Sequence, residues 1–148
     1  MATIQLPPDF KEFLQLLNIH RVEYLLIGGY AVGYYGYPRA TGDMDIWIAV
    51  HPDNARRVVI ALNEFGFPLS EEDATLFLQE NKITRMGVPP LRLEILTTIS
   101  GVTFAECYEQ RAVAEIDGIE VSLISLENLK ANKKASGRYK DLNDLENL

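Results

Sequence analysis

Apolar and polar positions alternate along the chain with the periods of amphipathic helices and of short buried strands. Residues 9–18 repeat apolar side chains at helical spacing, and Asp9 with Glu12 has the spacing of a capping box at the start of that helix. Residues 53–65 carry a second helical stripe, followed by Gly66 in the position typical of a helix end. The first half of the chain is therefore predicted to contain two amphipathic helices.

Short apolar runs predict strands between and after these helices. The predicted strands cover residues 22–27, 43–50, 81–88, 91–96, 113–116 and 119–123. Asp117-Gly118 lies between the last two runs and predicts a tight hairpin. Pro89-Pro90 separates the middle two runs, because proline lacks the N–H group that a continuous ladder needs.

The remaining segments predict further helices. These cover residues 30–35, 70–78 and 126–136, the last capped by Ser125, and a final short segment carrying Leu142, Leu145 and Leu148. Helices interspersed with strands in this order predict an α/β (α+β) fold, with a mixed β-sheet flanked by helices. Residues 1–148 are expected to form a single domain, since the length suits one hydrophobic core.

Composition and charge argue against several classes of function. Cys107 is the only cysteine, and His20 and His51 are the only histidines, which disfavours an internal disulfide and zinc sites. The net charge of −7 disfavours broad, charge-driven binding to nucleic acid. No run reaches the ~18 apolar residues of a membrane helix, and the first residues lack a secretion signal pattern. A cytoplasmic protein without membrane contact is expected.

Gly28-Gly29 directly follows the strand predicted at residues 22–27 and precedes a predicted helix. Backbone N–H groups at a helix N-terminus attract anions, and glycine has no side chain to keep an anion away. A glycine pair between strand and helix is more often simply a tight turn, and the lysine of a Walker motif is absent. Gly28 and Gly29 are thus a candidate phosphate cradle that needs support from a second feature.

Asp43 and Asp45 are two carboxylates within an otherwise apolar strand. Because they are two residues apart, both side chains lie on one face of the strand, while Met44 and Ile46 lie on the other. Neighbouring carboxylates repel each other unless a cation lies between them, and Mg²⁺ binds a few carboxylates together with phosphates and water. The alternative is an exposed sheet face, on which the charges only keep the sheet solvated.

Glu94 is a third carboxylate inside an apolar run, on the face opposite Leu93 and Ile95. If its strand lies beside the strand of the aspartates, three carboxylates converge near the glycines, an arrangement suited to in-line displacement at a nucleotide phosphate. The alternative is a charge pair of Glu94 with Arg92 or with a neighbouring strand on a solvated face.

Together these motifs resemble the nucleotidyltransferase superfamily, which has the DNA polymerase β-like fold. Its pattern is an apolar strand, Gly-Gly or Gly-Ser, a helix, Asp-x-Asp and a third acid on a later strand. Here the pattern maps onto Ile27-Gly28-Gly29, Thr41-Gly-Asp43-Met-Asp45-Ile and Glu94. The chain resembles especially the small bacterial AbiEii-like and minimal nucleotidyltransferase group. It departs from that pattern in having Gly29 where many members have Ser and Glu94 where the third acid is usually Asp.

The resemblance implies a Mg²⁺-dependent transfer of an NMP group from an NTP such as ATP to an acceptor hydroxyl on RNA, protein or a small molecule. It implies two Mg²⁺ ions, with Mn²⁺ as a substitute, held by Asp43, Asp45 and Glu94 as metal ligands and catalytic residues. The nucleotide-binding residues that it implies are Gly28, Gly29, Arg39, Thr41, Lys133 and Arg138. For Lys133 and Arg138 the alternative is a solvated helix face.

Two hypotheses about function follow from this resemblance. The first is an active nucleotidyltransferase, as found in toxin–antitoxin and phage-defence systems. The second is a nucleotide-binding partner or antitoxin module that has the same fold and has lost transfer. Either would suit a homodimer or a complex with a partner protein. A sugar transferase that uses Asp-x-Asp to bind Mn²⁺ is a third option, which leaves the upstream glycines unexplained.

Overall fold

The computed structural model describes residues 4–37 and 42–148, which form a mixed α/β structure. The strands are β1 Tyr24–Ile27, β2 Asp43–Ile48, β3 Ile83–Met86, β4 Arg92–Leu96, β5 Ala112–Ile116 and β6 Ile119–Leu123. The helices are α1 Pro8–Ile19, α2 Gly28–Tyr34, α3 Pro52–Phe65, α4 Phe104–Glu109, α5 Leu126–Ser136 and α6 Tyr139–Glu146, with a 3₁₀ helix at Glu71–Leu78.

Within the described residues the six strands form one sheet in the order β3-β4-β2-β1-β6-β5. The central strand β2 runs antiparallel to β1 and parallel to β4, while β1 runs parallel to β6. Each edge strand is antiparallel to its neighbour, β3 to β4 and β5 to β6. The sheet is therefore mixed, which confirms the fold class predicted from the sequence.

Strand β2 shows the alternation that the sequence predicts. Met44 and Ile46 are completely buried, whereas Asp43 and Asp45 on the other face are only partly buried. Trp47 shares the face of the aspartates but is buried, packing edge-to-face against Phe104. β2 therefore changes from polar to apolar on this face as it runs from Asp43 to Trp47.

Three helix ends are set by identifiable residues. His51 caps α3 by accepting a hydrogen bond from the backbone N–H of Asn54, and Gly66 ends this helix with a φ of 125°. Ser125 caps α5 by accepting from the N–H of Asn128, as predicted. The capping box predicted at Asp9 is wrong, because α1 begins at Pro8 and makes no side-chain capping bond. Proline supplies a helical φ at this position without needing a cap partner.

Several predicted boundaries shift. The predicted strands 22–27 and 43–50 shorten to β1 and β2, and the predicted run 81–88 shortens to β3. Helix α2 starts at Gly28, so both glycines lie in its first turn rather than before it. Helix α4 was not predicted, since its six residues are too few to show a helical period.

Helix α6 buries two aspartates on the same side as the half-buried Leu145 and Leu148. Leu142 is 44% exposed, while Asp141 and Asp144 are completely or almost completely buried. The leucines alone do not predict the burial of the aspartates, whose carboxylates both pair with a buried lysine of α5.

The longest and most apolar helices among residues 4–37 and 42–148 all fall short of what crossing a bilayer requires.

Candidate active site

The parallel pairing of β2 and β4 brings the three predicted carboxylates onto one face of the sheet. Asp45 lies opposite Glu94 in the register of the two strands, and Asp43 lies opposite Arg92. All three acids line a cleft of about 650 Å³, a volume typical of small-molecule sites. Their side chains are not on a solvated face, since only 16% of Glu94 and 29% of Asp43 are exposed.

Gly28 and Gly29 border the same cleft. Gly28 has a φ of 69°, a conformation that side-chain-bearing residues rarely adopt. A Cβ atom at this position would overlap Oδ2 of Asp45 and lie 2.9 Å from its Cγ. Glycine is therefore required both by the backbone and by the close approach of the Asp45 carboxyl, which explains the first glycine of the pair.

Asp45 is the most perturbed of the three carboxyls. Burial raises its pKa to about 7, with further contributions from a hydrogen bond to Glu94 and from the charges of Glu94 and Asp43. Its Oδ1 atom is buried and has no hydrogen-bond partner among the described residues. A buried carboxylate oxygen without a partner is costly. The raised pKa of Asp45 favours a positive partner at this carboxyl near neutral pH, either a proton or a cation in its place.

Two arginines neutralise the other carboxylates. Arg92 donates to both oxygens of Asp43, from Nε at 3.2 Å and from Nη2 at 2.8 Å. Arg85 on β3 donates from Nε to Glu94 at 3.0 Å, and Arg92 Nη2 lies 3.7 Å from the same carboxylate. Both charge pairs considered for Glu94 from the sequence are thus present, but in a partly buried site.

The contacts of the three carboxylates determine how they could bind a metal ion. Within the described ranges, no cluster of three or more acidic, histidine or cysteine side chains is already arranged as a metal site. Asp45 and Glu94, which lie opposite each other on β2 and β4, fit a hard cation, since Mg²⁺ and Mn²⁺ favour carboxylate oxygens. Asp43 fits as a further ligand once an oxygen is released by Arg92.

Basic residues of the C-terminal helices form one wall of the cleft. Lys133, Arg138 and Lys140 all line it. Arg138 is largely exposed, with 69% of its side chain accessible, and is held by two hydrogen bonds to Asp141 at 2.7 and 3.3 Å. The charge of Lys140 acts on Asp45, opposing the rise in its pKa. This wall places cationic groups opposite the carboxylates.

Lys133 differs from the alternative of a solvated helix face, because it is only 5% exposed. Its Nζ lies 3.2 Å from Oδ1 of Asp141 and 3.2 Å from Oδ2 of Asp144. Burial alone would raise the pKa of Asp141, but hydrogen bonds from Arg138, Ser136 and Lys133 hold it well below its usual range. Lys133 therefore joins α5 to α6 and also borders the cleft.

Two predicted site residues, Arg39 and Thr41, lie outside the described residues. The remaining predicted residues share the cleft with several that sequence reasoning passed over. The added lining residues with hydrogen-bonding or charged side chains are Asn81, Arg85, Thr98, Ser100, Asn132 and Ser136. Arg85 shares its strand face with Ile83, so β3 shows no polar face in the sequence, and the partner of Arg85 on β4 depends on the sheet register.

Comparison with known proteins gives a match at the level of the fold. The sequence matches no protein-family model and no curated protein. Among solved structures, it is similar to that of a Thermotoga maritima protein named as a candidate nucleotidyltransferase, with a TM-score of 0.63 and 16% identity. The similarity covers 96% of this chain and 93% of that chain. Over nearly its whole length, this chain therefore has the fold of that Thermotoga maritima protein.

Proposed function

We propose that this protein is a nucleotidyltransferase that moves an NMP group from a Mg²⁺-bound NTP to an acceptor hydroxyl. The observation that carries the proposal is the convergence of Asp43, Asp45 and Glu94 on one sheet face, beside Gly28-Gly29 and opposite a basic wall. The fold shared with the Thermotoga maritima protein supports the same reaction class. An acidic group facing cations across one cleft suits a ligand that combines metal and phosphates.

The triphosphate is assigned to the side of the cleft formed by the glycines and the basic wall. Gly28 and Gly29 present backbone without side chains to the cleft, so phosphate oxygens can approach closely. Arg138 offers a guanidinium that Asp141 already holds in place, which reduces the entropy lost on binding a phosphate. Lys140 adds a second positive charge at the same wall.

Asp43, Asp45 and Glu94 would hold the divalent cations. When bound, such ions stabilise the charge that develops on the transferred phosphate and lower the pKa of the attacking hydroxyl. Asp45 would exchange its proton for the cation, which would also give its buried Oδ1 a partner. Asp43 would exchange one of its two hydrogen bonds from Arg92.

The reaction is an in-line displacement at the α-phosphorus. The acceptor oxygen forms a new bond to that phosphorus, and the bond to the oxygen bridging the α- and β-phosphates breaks, releasing pyrophosphate. We assign Glu94 to the acceptor side, where its carboxylate receives the proton of the attacking hydroxyl or binds the cation that activates it. Arg92 and Arg85 flank Glu94 and balance its negative charge.

The experiment is incubation of the protein with each α-labelled NTP, Mg²⁺ and cell extract, followed by separation of the RNA, protein and small-molecule fractions. Label in one fraction is expected from the wild type and its loss from Asp45→Asn. Asp53→Asn, which removes an exposed carboxylate of α3, serves as the matched control. Tight NTP binding without transfer to any fraction would instead support a nucleotide-binding partner or antitoxin module.

The narrower assignment is to the AbiEii-like and minimal nucleotidyltransferase group, in a toxin–antitoxin or phage-defence setting. The sequence pattern around Gly28, Asp43, Asp45 and Glu94 is the basis of that proposal. If the protein is a toxin, expression of the wild-type chain alone is expected to arrest cell growth, whereas expression of Asp45→Asn is expected to allow it. An antitoxin role predicts growth in both cases.

A further inference from the structure

The cleft has an apolar end that the proposed chemistry does not use. Ile83 on β3 and Leu96 on β4 lie opposite each other in the antiparallel register, and both line the cleft together with Ile99. Ile83 is 43% exposed, although it lies in the sheet, while Leu96 and Ile99 are half-buried. Apolar side chains on the open floor of a polar cleft are typical of a surface that a ligand covers.

Hydrogen-bonding side chains surround this apolar floor. Asn81 and Thr98 lie next to each other, since the N–H of Asn81 donates to the hydroxyl of Thr98 at 2.9 Å. Asn132 of α5 borders the cleft at the same end and donates from its Nδ2 to the carbonyl oxygen of Ser100 at 3.0 Å. Asn81 has a φ of 55°, a left-handed conformation that asparagine adopts more readily than most residues. These side chains are neutral, unlike those around the carboxylates.

The order of features along the cleft identifies which part of a ligand this end receives. In the pairing of β1 with β2, Ile27 lies opposite Asp45, so Gly28 continues toward the Asp43 end of β2. Leu96 lies opposite Trp47, at the other end of β2. Leu96 is two residues beyond Glu94 on the same strand face, a distance of about 7 Å. The floor thus runs from glycines, through carboxylates, to an apolar surface rimmed with neutral polar groups.

We propose that this apolar end, formed by Ile83, Leu96 and Ile99 and rimmed by Asn81 and Thr98, binds the base of the nucleoside triphosphate. This inference rests on the proposed function, because the triphosphate at the glycine and basic side places the nucleoside beyond the carboxylates. A base has a flat face that packs on aliphatic side chains and an edge that exchanges hydrogen bonds with amides and hydroxyls. The floor and rim supply one surface of each kind.

The experiment compares Mg²⁺-dependent binding of the four NTPs and of inorganic tripolyphosphate by calorimetry. The test variant is Ile83→Gln, and the control is Ile60→Gln on α3, because Ile60 is 46% exposed and lies away from the cleft. A second test variant, Asn81→Gly, removes the carboxamide while glycine keeps the positive φ without strain. Thermal denaturation checks that each variant is folded.

The expected result is an about tenfold weaker binding of the preferred NTP by Ile83→Gln, the effect of losing a single apolar contact. Binding of tripolyphosphate should not change, and Ile60→Gln should leave both ligands unaffected. Asn81→Gly should reduce the difference in affinity among the four NTPs. If Ile83→Gln binds NTPs as the wild type does, or if its binding of tripolyphosphate weakens to the same extent, the apolar end does not bind the base.

Different outcomes would contradict the proposed base subsite and the proposed transfer reaction. NTPs that bind no more tightly than tripolyphosphate, with transfer still observed, contradict the base subsite and leave the proposed reaction standing. NTPs that bind more tightly through Ile83, without transfer to any acceptor, support the subsite and contradict the transferase. Absence of Mg²⁺-dependent binding of every probe contradicts both.

Discussion

The carboxyl of Asp45 rests against the α-carbon of Gly28, at a distance that leaves no room for a methyl group. This contact brings the end of β1 next to the acidic face of β2, so the glycines and the carboxylates are neighbours in the cleft. It also links the Gly28-Gly29 motif to the Asp43-Met44-Asp45 motif, because the carboxyl of Asp45 lies where a side chain at position 28 would lie.

Gly28→Ala is expected to unfold more easily and to lose NTP binding. The substitution forces a side chain into a positive φ, which costs about 1–3 kcal/mol, and pushes the Asp45 carboxyl out of its place. Gly118→Ala is the matched control, because Gly118 has a φ of 81° but open space around its α-carbon. Urea denaturation and calorimetry measure both effects. Equal loss of stability in the two variants, with NTP binding kept, would show that the contact with Asp45 is unimportant.

Stability is expected to fall as the pH rises from about 4 to about 7. The folded pKa of Asp45 is about 7, above the value of about 4 in an unfolded chain, so the folded protein holds an extra proton in this window. The free energy of unfolding is therefore highest below about pH 4, and this contribution is lost as Asp45 ionises toward about pH 7. Asp45→Asn should flatten this dependence, since an amide keeps a hydrogen bond to Glu94 without titrating.

Urea denaturation at several pH values measures that difference, with Asp53→Asn as an exposed control. Saturating Mg²⁺ should stabilise the wild type more at pH 8 than at pH 5, because the cation and the proton compete for the same oxygens. Parallel curves for wild type and Asp45→Asn would mean that another group dominates the pH dependence.

Replacing Arg92 should strengthen divalent cation binding. Arg92 occupies both oxygens of Asp43 in a pair that is about one-third exposed, and such a pair is worth about 1 kcal/mol, or about fivefold in affinity. Arg92→Gln is expected to bind Mn²⁺ that much more tightly in an electron paramagnetic resonance titration. Arg92→Lys keeps the charge but loses the bidentate contact with Asp43, so the increase in its affinity for Mn²⁺ should be smaller.

Arg56→Gln provides the control, since Arg56 pairs with Asp53 on the exposed side of α3. Weaker Mn²⁺ binding by Arg92→Gln would mean that the arginine holds Asp43 in the geometry that the cation requires.

Lys133→Met should destabilise the C-terminal helices strongly. The substitution leaves Asp141 and Asp144 buried without their shared cation, and removing one partner of a buried ion pair typically costs about 3–5 kcal/mol. Lys134→Met, next to it on α5 but exposed, should change the free energy of unfolding little. Hydrogen exchange of α6 and urea denaturation measure the effect. A small loss for Lys133→Met would show that the ion pairs add little to the docking of α6.

Much of the local structure could be predicted because it depends on short-range chemistry. The alternation in β2 gives the shared face of Asp43 and Asp45, and the Asp117-Gly118 turn gives the hairpin of β5 and β6. The meeting of Glu94 with Asp45 could not be derived this way, because it requires β4 to pair with β2 in one parallel register. The family resemblance supplied that expectation.

Most of the site features that could not be predicted from the sequence are charge pairs between residues on different elements of the fold. Arg92 follows the alternation of β4, but nothing local shows that Arg92 meets Asp43 or that Arg85 meets Glu94. In α6 the burial of Asp141 and Asp144 could not be predicted from the leucines, because it depends on the pairing of both carboxylates with buried Lys133 of α5. Both cases depend on partners brought together only by the complete fold.

The central claim is that Asp43, Asp45 and Glu94 hold the divalent cation that carries the NTP phosphates. Titration of Mn²⁺ followed by electron paramagnetic resonance, with and without NTP, tests this most directly in the wild type and in the Asp43→Asn/Asp45→Asn double variant. We predict that the wild type binds Mn²⁺, that NTP tightens this binding, and that the double variant loses both effects while remaining folded. Mn²⁺ and NTP binding that is the same in the wild type and the double variant would contradict the account.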